Sequence, residues 1–117
     1  MIVRFDQRFR RDEAARALLP IRVGITLPFS ESLAPGDHDR LAVFEDQLED
    51  LARLRIGVEL VVVITTRDFR EFVLHASTAE GIAALHGELR ERHPTLDVQM
   101  FAEHDAAWDS YFTITHA

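Results

Sequence analysis

The sequence contains no cysteine. Disulfides, thiolate nucleophiles, iron–sulfur clusters and cysteine-ligated zinc are excluded with it. Lysine and asparagine are also missing, and all 13 basic residues are arginine. The codons of a GC-rich genome produce that bias, so it points to a bacterial source and not to a chemistry. Glycine stands only at positions 24, 36, 57, 81 and 87, never clustered. No phosphate loop, dinucleotide fingerprint, nucleophile elbow or zincin helix is present. Long hydrophobic runs are missing too. The longest, Leu60 to Ile64, has five residues, against the ~20 that cross a bilayer. The N-terminal stretch MIVRFDQRFRRDEAARALLP lacks the apolar segment of a signal peptide. A cytoplasmic location with no membrane partner is the expectation.

What is present is ordinary for a globular domain: 117 residues, 47% hydrophobic and 28% charged, with a net charge of −7. That length fits a single domain over residues 1–117. The negative charge makes nucleic acid an unfavourable partner. Arg4, Arg8, Arg10, Arg11, Arg16 and Arg22 stand against only Asp6, Asp12 and Glu13 in the first 22 residues. Its two aromatics, Phe5 and Phe9, fall on the inward side of the strand expected at residues 2–9, so they offer no exposed single-strand stacking platform.

Period-two alternation marks the strands. Residues 2–9 place Val3, Phe5 and Phe9 on one side and charges on the other, as an edge strand does. Asp12 caps a short helical stretch ending at Pro20. Residues 21–29 form a clear strand, and Ser30 to Gly36 a loop. Helix 37–55 carries Leu41, Phe44, Leu48, Leu51 and Arg55 on one face, with Asp37 as cap and Gly57 beyond its end. Strand 58–66 is apolar on both faces and therefore central. It turns at Thr66-Arg67-Asp68 into strand 69–76. Helix 78–92 presents Ile82, Leu85 and Leu89 inward and starts at Ser77 or Thr78. Strand 96–102 follows, and Trp108, Tyr111, Phe112 and Ile114 close the chain as a short helix or a last strand. The order strand, helix, strand, strand, helix, strand is that of a split βαβ unit. It predicts an α+β, ferredoxin-like antiparallel sheet with both main helices on one face, plus an N-terminal edge strand and a short C-terminal element. The expected common core is Ile25, Leu27, Phe44, Leu48, Leu51, Val62, Ile64, Phe72, Leu74, Ile82, Leu89, Val98 and Met100.

Chemistry-bearing residues are dispersed. Of the six histidines, His86 and His93 share a helix face but stand seven residues apart, two turns, too far for one ion. No metal and no cofactor are expected, and no residue stands out as catalytic. Two surfaces remain. One is the acidic outer face of helix 37–55, Glu45, Asp46, Glu49 and Asp50, joined with Trp108 and Tyr111 as an aromatic rim for a protein partner. The other is a polar site around the 66–76 hairpin and residues 104–105, built from Arg67, Arg70, His75, His104 and Asp105, that would serve a small ligand or an enzyme.

Three segments, FEDQLEDL (Phe44 to Leu51), VVVITTRDFREFVLHAS (Val61 to Ser77) and HDAAWDSYF (His104 to Phe112), resemble the bacterial domain-of-unknown-function family 695. The resemblance covers about residues 21–112. Asp68 and Phe69 stand where that pattern has a glycine, which leaves the turn type open. Proteins of that family are often linked with the regulator of ribonuclease E activity, protein B family. The resemblance therefore implies a binding or regulatory protein and carries over no catalytic residue. A protein-interaction or regulatory domain is the leading expectation, with the small-ligand or enzyme reading as the alternative.

Overall fold

The protein is described by a computed structural model covering residues 1–28, 37–55, 57–94 and 96–115, without the side chains of residues 37 and 38. The Ser30 to Gly36 loop, Phe29, the Asp37 side-chain cap, His38 and His116 lie outside the described residues.

Five strands and five helices follow one another along the described chain: β1 (Ile2–Phe5), α1 (Arg8–Arg11), α2 (Glu13–Ala17), β2 (Ile21–Pro28), α3 (Asp37–Arg53), β3 (Val58–Thr65), β4 (Phe69–Ala76), α4 (Ala79–Arg92), β5 (Gln99–His104) and α5 (Asp109–Ile114). The strands form one sheet in the order β1-β3-β4-β2-β5, every neighbouring pair antiparallel. Removing β1 leaves β3-β4-β2-β5, the ferredoxin-like strand order produced by two interleaved βαβ units. β1 adds itself as an edge strand beside β3.

The first core lies between the sheet and helices α3 and α4. Val23, Ile25 and Leu27 of β2, Val63 of β3 and Phe72 and Leu74 of β4 meet Phe44, Leu48 and Leu51 of α3 and Ile82, Leu85 and Leu89 of α4. Both main helices therefore cover the same face, as predicted. The opposite face holds a second core. There Val61, Val62 and Ile64 of β3 and Val73 of β4 pack with Phe9, Leu19, Trp108 and Tyr111, roofed by α1, α2 and α5.

That second core corrects the expected single one. Val62 and Ile64 are buried, but on the side away from α3 and α4. The cause is a β-bulge: the β3–β4 register shifts between Leu60 and Val62. One extra residue in a strand reverses which side chains face which layer beyond it.

Local chemistry explains the other boundaries. β1 ends early because the Asp6 carboxylate accepts the backbone N–H of Arg8 at 3.0 Å, an Asx turn that folds the chain into α1. Phe9 still reaches the second core, from a helical turn and not from a strand. Asp12 caps α2 by accepting from Ala15 N at 2.9 Å. Thr78, not Ser77, caps α4, accepting from Gly81 N at 3.3 Å. β5 starts three residues later than expected, because Leu96 N donates to the His93 carbonyl and Val98 N to the Leu96 carbonyl, both at 3.1 Å, and hold that stretch in turns. The β3–β4 turn works without glycine. The Thr66 hydroxyl accepts from Asp68 N at 3.2 Å and Phe69 N at 3.1 Å, while Thr66 N donates to the Phe69 carbonyl at 2.9 Å. Gly57 leads into β3 at φ 82°, a left-handed conformation where a side chain is strained, and its missing Cβ leaves room for the Ser77 side chain.

Candidate functional site

The acidic residues of α3 divide into two sets. Glu45 and Glu49 are half-buried, and Asp46 and Asp50 are exposed. Glu45 is turned toward the sheet, where its Oε1 accepts from Arg4 Nη2 at 2.7 Å and lies 3.9 Å from Arg70 Nη1. Glu49 lines a cleft of about 470 Å³ with Val3, Arg4, Phe5 and the middle of β3. Asp50 lies 3.5 Å from Arg53, an exposed i,i+3 pair of small energetic weight. The outermost line of the helix is therefore Asp39, Val43, Asp46 and Asp50, continued by Leu54 just past its end. Val43 is 49% exposed and Leu54 82%. Val43 and Asp39 also border a depression of about 210 Å³ with His93 and Leu96.

The aromatic half of the expected surface is not a surface. Trp108 and Tyr111 are both 0% exposed. The indole Nε1–H donates to the carbonyls of Leu19 at 3.0 Å and Arg16 at 3.1 Å. The Tyr111 hydroxyl donates to the Asp6 carbonyl at 2.7 Å, and burial pushes its phenol pKa up. A ring whose polar tip and faces are both occupied internally has nothing left to offer a partner. Asp105 initiates α5, accepting from Asp109 N at 3.0 Å and Ser110 N at 3.3 Å. Trp108 sits at φ 58°, a left-handed conformation unusual for a bulky residue. The Asp105 cap and the indole's packing hold it there.

The second expected site does not converge. Arg70 shares the α3 side of β4 with Phe72, whereas His75, five residues beyond Arg70, points into the opposite layer. His104 stands opposite Ile21 and so shares the α3–α4 side. Arg67 is exposed in the turn. Only His75 and Asp105 come near each other. His75 is fully buried and stacks on Trp108 with ring centroids 3.7 Å apart and planes at 15°. Its Nδ1 lies 2.9 Å from the Leu19 carbonyl, which can only accept, so Nδ1 carries the proton and Nε2 the lone pair. Nε2 has no protein partner.

Beside His75 lies a group that the sequence did not mark as a site. Arg22 is opposite His75 in the β2–β4 pair and opposite Glu103 in the β2–β5 pair. It is only 7% exposed. Its guanidinium lies 3.5 Å from Glu103, 3.7 Å from Glu71 and 4.9 Å from the Phe101 ring centroid. Phe101 lies over Gly24, whose missing side chain makes the room. The basic N-terminal segment thus dissolves as a patch. Arg22 is inside the sheet, Arg4 is paired with Glu45, and Arg10 and Arg16 donate to backbone carbonyls at 2.6 and 2.7 Å. The signal available for Arg22 was its phase within β2, which places it with Gly24 and away from Val23 and Ile25.

This geometry sets a pH dependence. Burial, the strongest influence, holds the His75 pKa below the usual 6.5, with Arg22 acting in the same direction and the Leu19 carbonyl and Asp105 opposing. The unfolded chain therefore takes up a proton that the folded chain refuses. Stability is fully present above about pH 6.5 and falls as pH drops from there toward the lowered folded-state value. One such proton gives a slope of at most about 1.4 kcal/mol per pH unit. Urea midpoints at pH 7.5 and 5.5 check it. His75→Gln should remove most of the difference, leaving the share of His93, whose pKa burial also lowers. Equal midpoints in the native chain would show that His75 titrates normally.

Among the described residues no group of three or more histidine, aspartate or glutamate side chains is placed to hold a metal, and no helix is long and apolar enough to cross a membrane. His86 lies 3.4 Å from the Val98 carbonyl and His93 2.7 Å from Gln47, in separate contacts.

Strand order and helix placement define an α+β, ferredoxin-like domain with an added edge strand and a C-terminal roof. The chain belongs to a family of unknown function (DUF695), whose model matches residues 31–114. No curated protein matches it. Among solved structures, the de novo designed protein Ferredog-Diesel is similar at 14% identity, over 71% of this chain and 82% of that one, with a TM-score of 0.45.

Proposed function

We propose that this chain is a small bacterial, cytoplasmic regulatory domain that binds a protein partner through the outer line of α3. The observation that carries the reading is the exposed series Val43, Asp46, Asp50 and Leu54, two apolar residues at the ends of an acidic centre. Such a line fits a partner segment that is basic in the middle and apolar at its flanks. The carboxylates steer a basic partner and make association salt-dependent. The side chain with most to lose in water is Leu54, and its desolvation supplies the affinity.

Glu45 is left out of this surface because Arg4 and Arg70 already engage it. Reversing it would test the fold along with recognition. The informative variant is Asp46→Arg/Asp50→Arg combined with Leu54→Asp, all at exposed positions. Its thermal melt should match the native chain within a few degrees. In low-salt affinity capture from the native bacterium, it should lose the partner that the native chain retains, and 0.5 M salt should weaken the native capture. A folded variant that recovers every partner of the native chain would remove α3 from recognition.

A further inference from the structure

We propose that two copies of this chain pair through β5, antiparallel across a two-fold axis at Phe101, and continue the sheet from one copy into the other. β5 is the outer strand on the β2 side, and among the described residues no strand lies beside its far edge. Five of its six residues are exposed and Met100 is half-buried, which shows that neither α4 nor α5 covers the edge. Unpaired backbone N–H and C=O groups along such an edge are a template for another strand.

The side chains say which strand fits. A two-fold axis perpendicular to the sheet keeps each side chain on its own face, so only registers that centre on a residue are allowed. Centred on Phe101, the seam pairs Gln99 with the second copy's Glu103 and Met100 with its Ala102. On the face opposite α3 and α4 this builds one polar row: Arg22, Glu103, then Gln99 and Thr26 of the second copy. Arg22 already lies 3.5 Å from Glu103 on the inner side. The Gln99 amide, which in the single chain donates to Asp97 at 2.9 Å, turns to donate to the outer side of that carboxylate. By symmetry the row occurs twice. On the other face Met100 meets Ala102, large against small. The two Phe101 rings fold over their own Gly24 and leave the centre free of a clash. Centring on Ala102 instead would put Phe101 against Glu103 and give that carboxylate no donor from the second copy.

The other sheet edge is a poorer template. β1 has four residues, and its Arg4 is committed to Glu45. β5 also brings little net charge to the seam, because its one acid, Glu103, is matched by Arg22. The acidic line of α3 is on a different element and takes no part in the seam.

The test uses the cysteine-free chain. Light scattering on purified protein should show a concentration-dependent dimer at tens of micromolar. Under mild oxidation Phe101→Cys should form a disulfide-linked dimer, since facing residues of an antiparallel pair lie within disulfide reach. Ala102→Cys should cross-link far more slowly. Gln99 is exposed, so charge changes there leave the fold intact. Gln99→Lys should tighten the dimer and Gln99→Glu loosen it, each by severalfold, on the order of tenfold because every dimer contains the pair twice. A chain that stays monomeric at several hundred micromolar overturns the proposal. So does a dimer indifferent to both Gln99 substitutions, or one that cross-links through Ala102→Cys in preference to Phe101→Cys.

Discussion

Trp108→Ala is expected to lower the unfolding free energy by about 3–5 kcal/mol, the usual cost of removing a large aromatic from a closed core. The indole is 0% exposed and joins three separate parts of the chain. Below it lies His75 of the sheet, stacked at 3.7 Å; beside it are Phe9 of α1 at 5.2 Å and Tyr111 of α5 at 5.4 Å. Its Nε1–H holds the end of α2 and the segment after it through the Arg16 and Leu19 carbonyls. Truncation opens a cavity, and it also uncovers His75, which the sheet alone does not keep dry. Trp108→Phe separates these contributions. It keeps most of the ring contact but removes the donor, so about 1–3 kcal/mol of the loss should remain. Denaturant unfolding followed by far-UV circular dichroism measures both. A Trp108→Ala loss below 1 kcal/mol would mean that the α1–α2–α5 layer is not a structural roof.

That layer is also where the sequence was least informative. Trp and Tyr with a nearby acid form an amphipathic pattern that serves an exposed rim and a buried roof equally well. The difference lies in whether distant carbonyls meet their polar tips. Leu19 and Asp6, which do so, are some ninety and one hundred residues away in sequence, and nothing local to Trp108 announces them. β2 was legible because polar and apolar residues alternate cleanly along it, and β4 because it follows β3 across a short turn. β3 was legible as a central strand but not in its phase. With Leu60 to Ile64 all apolar, either face could be the inner one, and a bulge in such a run leaves no trace in the pattern. The acidic α3 series was legible as a helix face. The commitment of Glu45 to Arg4 and Arg70 was not, because it needs β1 to lie beside β3. Arg22 was grouped with its neighbours in sequence, although its true neighbours are His75 and Glu103 across the sheet.

The two-core arrangement has a measurable consequence of its own. Leu48 is 0% exposed between α3 and the sheet, and Ile64 is 7% exposed on the far side. Leu48→Ala and Ile64→Ala should each cost about 2–5 kcal/mol through lost burial and a residual cavity. The two cavities are separated by the thickness of the sheet and share no partner. Their costs should therefore add to within about 0.5 kcal/mol in the double variant. A domain of this size has about 5–15 kcal/mol in all, so each single variant should remain folded at 25 °C and the double variant should unfold at the lowest urea concentration of the four. A single continuous core predicts something else. There the second truncation falls into a site already relaxed by the first, and the double variant costs clearly less than the sum. Urea unfolding of the four proteins in that cycle distinguishes the two. Sub-additivity of more than 1 kcal/mol would show that Leu48 and Ile64 report on one packed unit, and that the roof of α1, α2 and α5 does not form a core separate from α3 and α4.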